Sequence, residues 1–333
     1  MSAAQRVGVE YTQLGNTGTA VTEISFGTWR FGRETDDGYE VDKQQAHTLL
    51  DAYADAGGNF IDTADVYGGG LSEEWIGDWL ADRDREQFVI ASKVYWPTRE
   101  DDPNGRGLSR KHIRRQIDQI LDRLNTEYLD VLYIHRWDDD TPANELMRTL
   151  DGLVRAGTVN HLGTSTMEPN AWRIAQANEI ALREGYEPFT VAQPRYSLVT
   201  KEVEYDYTDA LAEYDVGMCP WSPLGGGFLS GKYTRDEIPE GTRGAESDRF
   251  EDRYLTEANF DVLDEVRAIA DEEDATPVQV AIAWLLEQPT MTAPIVGART
   301  VDQLEENLAA TEIDPSDEQV ERLSEAKDAP SLV

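Results

Sequence analysis

What most restricts the fold of this chain is a rhythm: short runs rich in β-branched residues alternate with longer amphipathic stretches, from residue 24 almost to the carboxyl end. The runs fall at 24–27, 59–62, 88–93, 128–135, 159–165, 190–193, 216–221 and 293–297, with helical patterns at 43–56, 72–81, 109–124, 144–156 and 169–184. Strands that alternate with helices pair in parallel, because each crossover returns the next strand to the same end of the sheet. Eight such units spaced by close to 30 residues predict an α/β fold, the (β/α)8 barrel. A length of 333 residues holds a barrel of about 250 residues with its insertions, and no low-complexity or proline-rich stretch divides it, so 1–333 reads as one domain.

Two features modify the repeat. Residues 11–14 and 20–24 flank the turn Gly15-Asn16-Thr17-Gly18 and read as an N-terminal β-hairpin placed to plug the barrel bottom. About 70 residues separate Trp221 from Ala293, enough for more than one helix, and the glycine- and charge-rich stretch 225–250 reads as a long loop before the last strand. Ser72 and Ser109 are expected N-caps, and Gly57, Gly157 and Gly185 expected helix stops.

Composition excludes several classes of function. The formal charge is −35, with 65 acidic residues against 30 basic ones, so phosphate backbones are repelled and no nucleic-acid partner is expected. No stretch approaches the roughly 20 consecutive apolar residues of a membrane span, and residues 1–10 lack the pattern of a secretory signal. The lone Cys219 permits no internal disulfide, which fits a reducing cytoplasm, and its setting beside Met218 and Pro220 suggests packing rather than reactivity. Lysine supplies only six of the cations, at 43, 93, 111, 201, 232 and 327. This bias suggests a halophilic protein, since at about 1 M salt the Debye length falls to about 3 Å and self-repulsion is screened. Oligomeric state is left open by the sequence.

Asp62, Lys93 and His135 fall at the carboxyl ends of three successive expected strands, with Tyr67 five residues beyond Asp62. Barrel enzymes hold their active sites at that face, where neighbouring strand ends come within side-chain reach. The four types suit proton donation to a carbonyl oxygen. A free phenol, with a pKa of about 10, is a reluctant acid. An ammonium about 4 Å away, at an effective dielectric near 20, contributes roughly 4 kcal/mol, or about three pKa units toward phenolate. Tyr67 would then exchange protons near neutrality, with Asp62 aiming Lys93 and His135 orienting the carbonyl. Read singly, each of the four is more often a satisfied structural group, and it is their meeting at three consecutive strand ends that brings the chemical reading level with the structural one.

The motifs that carry these residues add a further argument. Asn59-Phe60-Ile61-Asp62-Thr63-Ala64-Asp65-Val66-Tyr67-Gly68 with Ser72-Glu73, then Ala91-Ser92-Lys93 and Asp130-Val131-Leu132-Tyr133-Ile134-His135, strongly resemble the aldo-keto reductase family. The resemblance runs from Leu14-Gly15-Asn16-Thr17-Gly18 and Phe26-Gly27-Thr28-Trp29 to Pro294-Ile295-Val296-Gly297-Ala298-Arg299 and Glu305-Glu306-Asn307. It implies that Asp62, Tyr67, Lys93 and His135 form a catalytic tetrad with Tyr67 as general acid, reducing aldehyde, ketone or sugar carbonyls reversibly with NADP(H) as the usual hydride carrier.

It also implies cofactor contacts. Ser165, Thr166 and Gln193 match positions that meet the nicotinamide carboxamide, Thr166 replacing a common asparagine, and Trp221 matches the aromatic stacked on the ring. Thr28, Trp29 and Asp62 border the same end of the cofactor. The segment from Ser222 through Leu224 and Gly226 to Lys232 resembles a loop embracing the pyrophosphate, and Gly297, Arg299, Gln303, Glu306 and Asn307 match the adenosine segment. Gly297-Ala298 and Gln303 replace the lysine-serine pair and arginine by which one branch holds the 2'-phosphate. Arg299, Arg243 or Arg249 would supply that charge, and NAD is the alternative carrier. Trp29, Tyr95, Trp96 and Trp137 follow strand ends and read either as walls of a substrate pocket or as rim packing. His47, His112 and His161 lack metal-ligand spacing, so no metal is expected. A cofactor-binding sensor or regulatory subunit, like the potassium-channel β-subunit branch, is the competing reading. That branch carries asparagine where His135 stands here, which favours turnover.

Overall fold

The computed structural model describes residues 10–327 except 37, 100, 168 and 169, and the side chains of residues 243 and 246 lie outside the description. The amino-terminal stretch 1–9, the start of the helix expected at 169, and the side chain of Arg243 therefore fall outside the described residues.

In chain order, β1 (Tyr11–Gln13) and β2 (Ala20–Thr22) form an antiparallel hairpin, β3 (Ser25–Gly27) starts the barrel, and β4 (Glu34–Thr35) pairs with β5 (Gly38–Tyr39) in a small outer hairpin. There follow α1 (Lys43–Asp55), β6 (Phe60–Asp62), α2 (Leu71–Leu80), β7 (Val89–Val94), α3 (Arg110–Leu124), β8 (Leu129–Ile134), α4 (Ala143–Arg155) and β9 (Val159–Ser165). The chain continues through α5 (Ala171–Glu184), β10 (Phe189–Gln193), α6 (Tyr207–Glu213), β11 (Gly217–Met218), α7 (Arg243–Glu246), α8 (Asp248–Tyr254), α9 (Glu257–Glu272), α10 (Pro277–Leu286), β12 (Ile295–Val296), α11 (Val301–Leu308) and α12 (Asp317–Glu325).

Eight parallel strands run in the order β11-β10-β9-β8-β7-β6-β3-β12. Parallel bridges from Met218 to Met291 and from Trp221 to Ile295 join the two ends of that sheet, so the fold is a closed (β/α)8 barrel. All eight runs read from the sequence lie on these strands.

Local signals explain the helices. In α4 the buried residues Leu146, Met147, Leu150 and Leu153 mark one stripe at helical spacing. The helix α10 opens with Pro277 behind a Thr276–Gln279 capping box and is buried along nearly its whole length. Ser109 caps α3 through the His112 N–H, and Gly185 ends α5 in the left-handed conformation at φ 69°. Ser72 does not cap: α2 begins at Leu71 after Gly70, and the Ser72 hydroxyl is buried between Thr28 Oγ1 (2.7 Å) and Thr63 Oγ1 (2.8 Å).

The hairpin closes the bottom as expected. Leu14 and Val21 are fully buried and join Phe60, Val89, Val131, Val191 and Ala293 in the apolar interior, together with Cys219. Gly15 makes the seat possible: at φ +54° a Cβ there would stand 2.2 Å from Thr190 O. The stretch 225–250 differs from the expected loop. It holds a 3-10 segment, α7 and the start of α8, because Phe228, Tyr233, Phe250 and Tyr254 stack on one another and fasten it to the barrel.

Candidate active site

The strand register brings the expected residues together. Gly27 lies beside Asp62, Asp62 beside Ala91, Lys93 beside Tyr133, and Ser165 beside Gln193, so the polar side chains collect at the carboxyl end of the barrel. Lys93 is fully buried, and its ammonium donates to Asp62 Oδ2 at 2.6 Å, to the Thr63 carbonyl at 2.8 Å and to the Tyr67 hydroxyl at 3.2 Å. Gln193 Nε2 donates to the other oxygen of Asp62 at 2.8 Å. The His135 ring stands edge-on to Tyr67 with centroids 6.0 Å apart.

Burial alone would strip the proton from Lys93, but the Asp62 carboxylate and the Tyr67 oxygen override it and hold the ammonium above the usual lysine range. His135 goes the other way. Burial first, and then the charge of Lys93, push its pKa well below the ordinary value, so the ring is a neutral imidazole whose buried Nδ1 has no partner among the described residues.

Tyr67 departs from the sequence expectation. Burial raises its pKa, Lys93 pulls it down, and Asp62 and Asp65 push it up again, with the balance above the ordinary phenol value. The ammonium that was expected to make the phenol acidic is matched by Asp62 at 2.6 Å, so only part of its field reaches Tyr67. In this state the phenol is a firmly protonated donor.

The residues expected at a nicotinamide fall in two groups. Thr28 is fully buried, and its hydroxyl donates to the Asp62 carbonyl at 2.9 Å, so it fixes a strand end. Ser165 is buried and donates to the Gln193 carbonyl at 3.0 Å, while Thr166 follows at φ 49°, its hydroxyl 3.2 Å from that of Ser165. Trp221 presents a ring with Arg195 5.9 Å from its centroid and keeps a buried indole N–H without a partner among the described residues.

Beyond Trp221 the backbone forms a cradle. Ser222 sits at φ 59° and accepts the Gly226 N–H on its hydroxyl at 3.0 Å, after Leu224 has led into the glycine run. Gly226 and Gly227 take φ of 68° and 97°, and a Cβ on Gly227 would come within 3.7 Å of Lys232 Nζ. The amides of Gly225, Gly226 and Gly227 donate within the turn, to Ser222 O, Ser222 Oγ and Leu224 O, so what the glycines offer a guest is a surface free of side chains with the Lys232 ammonium at its edge. At the far end, Thr300 caps α11, and Gln303 Oε1 accepts the Arg299 N–H at 3.0 Å. Gly297 follows β12, Asn307 is buried on α11 and Glu306 is half-buried beside it.

Of the expected pocket walls, Trp29 and Trp96 are exposed, and Tyr95 packs edge-on to Trp96 with centroids 5.0 Å apart. Trp96 stands 6.1 Å from His135, on the same opening. Trp137 lies against Arg173, which also covers the exposed Trp172 at 3.7 Å. The sequence reading missed Trp172 and Arg173, inside the helical pattern 169–184, and Arg195, two residues past the run 190–193. It also missed a buried set behind Lys93, in which Glu73 accepts from Ser92 at 2.5 Å and pairs with Arg123 at 2.6 Å, with Asp65 nearby. Glu73 stood inside the quoted motif, but nothing in the sequence tied it to Arg123.

A family model described as "Aldo/keto reductase family" matches residues 23–328. The chain is 36% identical over 315 residues to "Uncharacterized oxidoreductase YrpG" of Bacillus subtilis (strain 168), covering 92% of each. It is 34% identical over 313 residues to a "Probable voltage-gated potassium channel subunit beta" of Oryza sativa subsp. japonica, again covering 92% of each. Over 314 residues it is 33% identical to "Norsolorinic acid reductase stcV" of Emericella nidulans, covering 91% of this chain and 77% of that protein.

Proposed function

Because the chain belongs to the aldo/keto reductase family, we propose that it is an NADP(H)-dependent enzyme that reduces aldehyde, ketone or sugar carbonyls to alcohols and runs in reverse as an alcohol dehydrogenase. The observation that carries this reading is the set of hydrogen bonds around Lys93, which ties Asp62, Thr63 and Tyr67 to one buried ammonium at the open end of the barrel. The dinucleotide would lie across Trp221, the Gly225–Gly227 cradle with Lys232, and the Gly297–Asn307 segment, with Arg299 or Arg249 meeting a 2'-phosphate. NAD is the alternative carrier. The unpartnered Trp221 N–H and the left-handed glycines fit such a guest.

When bound, the reduced nicotinamide supplies a hydride to the carbonyl carbon. The chain supplies the rest. Tyr67, protonated in the resting site, passes its proton to the carbonyl oxygen, and Lys93 stabilises the oxygen left on the ring. Asp62, held from its other side by Gln193, keeps Lys93 charged and aimed. Neutral His135 orients the carbonyl by hydrogen bonding, and Trp29, Tyr95, Trp96 and Trp137 wall the substrate and exclude water. The whole chain works as one domain in a salt-rich cytoplasm, with a small carbonyl compound as its partner.

The test is a carbonyl and alcohol panel in molar KCl, read by nicotinamide absorbance with both dinucleotides, on the native protein and Tyr67→Phe. The variant should lose about 10²- to 10⁴-fold in turnover and still bind the dinucleotide. Equal rates would refute the role of Tyr67. The rice relative's name keeps a regulatory subunit as the second reading. Tight dinucleotide binding without turnover on any carbonyl would favour it.

A further inference from the structure

Behind the candidate site the charged side chains continue past the Lys93–Asp62 pair that the proposed reaction uses. Of five charged side chains there, four are matched in pairs, Lys93 with Asp62 at 2.6 Å and Arg123 with Glu73 at 2.6 Å. Asp65 is left over. It is 3% exposed, and among the described residues its carboxylate oxygens find no donor beyond the adjoining Val66 N–H. It stands three residues after Asp62 and two before Tyr67, and its backbone N–H donates to the Lys93 carbonyl at 3.2 Å, which fixes it at the end of β7.

A carboxylate in that position has lost its water and gained no cation of its own and no side-chain donor, and such a group holds its proton instead. The groups facing it agree. Burial and the Glu73 carboxylate push its pKa well above the usual range, and Arg123 and Lys93, each already matched, together with the Val66 N–H offset this only in part. With Asp65 neutral, the five groups sum to zero.

We infer that Asp65 is buried as a neutral carboxylic acid and is a positioning residue for Tyr67: while Asp65 is uncharged the field of Lys93 reaches the phenol, and its ionisation makes the phenol hold its proton. Asp62, Asp65 and Lys93 all act on the Tyr67 oxygen, so Asp65 and Tyr67 release their protons as a coupled pair. The role rests on the reading of Tyr67 as proton donor, whereas the protonation state of Asp65 does not.

The test compares the native chain with Asp65→Asn in molar KCl. Infrared difference spectra at neutral pH should show a carboxylic-acid carbonyl band that the variant lacks. Melting should give the matching sign. A carboxyl with a raised folded-state pKa contributes stability below the ordinary carboxylate range and loses it as pH rises, so the variant should melt higher at neutral pH and converge with the native chain in acid. Phenolate absorbance of Tyr67, taken as the difference from Tyr67→Phe in each background, should titrate about one pH unit lower in Asp65→Asn. The pH profile of alcohol oxidation should move the same way. No carbonyl band, or a variant that melts lower at neutral pH, overturns the neutral acid. An unmoved phenolate titration overturns the coupling. Absent turnover on the whole panel would sink the reductase reading while the infrared, melting and absorbance results still decide this one.

Discussion

The two ends of the barrel are made from the same strands and differ in kind. At the bottom the interior is dry: Leu14 and Val21 from the hairpin meet Phe60, Val89 and Val131, all buried and apolar. At the top the same strands end in Asp62, Lys93 and Gln193, buried as deeply but polar and tied into one network. Within β6 the change takes three residues, from Phe60 through Ile61 to Asp62. The bottom stabilises the barrel through contacts with no chemical use, which lets the top carry buried charge that a hydrophobic replacement would outdo in stability.

The contrast can be broken from the top by Lys93→Met. That change leaves Asp62 buried without its cation and should cost about 3–5 kcal/mol of stability together with turnover, measured by denaturant melts and rate assays. A variant that folds as well as the native chain would show that Asp62 does not need its partner. From the bottom, Leu14→Ala should cost about 2–5 kcal/mol and leave the rate per folded molecule unchanged. A drop in that rate would mean that the plug reaches the chemistry.

Salt should act on both ends at once. Surface pairs such as Arg235 with Glu257 and Asp261 weaken in salt, but the net charge of −35 is the larger effect, so melting temperature should climb from dilute buffer to molar KCl. An unchanged value would remove the case for halophilic adaptation. The smallest effect belongs to His135. Its folded-state pKa is depressed, so the unfolded chain binds the extra proton, and stability present above about pH 6.5 is lost as pH falls toward the folded value. His135→Asn should lack this acid slope, worth about 1.4 kcal/mol per pKa unit. Parallel melting curves of the two proteins against pH would contradict the assignment.

The strands were legible because their β-branched runs and spacing are properties of the chain itself, and the convergence of Asp62, Lys93 and His135 followed from strand order. The acidity of Tyr67 was misjudged for a physical reason: Coulomb's law between two groups says nothing of the third charge that neutralises one of them. Ser72 resembled a cap because serine before an acidic turn is a local signal, while its bonds to Thr28 and Thr63 span 44 and 9 residues. Glycines made 225–250 look like open loop, although the aromatic residues that fasten it were there to be counted. Arg123 and Glu73, 50 residues apart, meet only because α3 packs on α2.

The joint between Met218 and Ile295 has a consequence of its own. Elsewhere neighbouring strands are joined by ladders, but here the hoop is fastened by isolated clasps, among them the Met218 N–H on Thr290 O at 2.7 Å and the Ile295 N–H on Pro220 O at 2.8 Å. Trp221 and Gly297 stand on the two sides of this clasp. Any guest that lies over both would act as a rivet, so its grip and the integrity of the ring would rise and fall together.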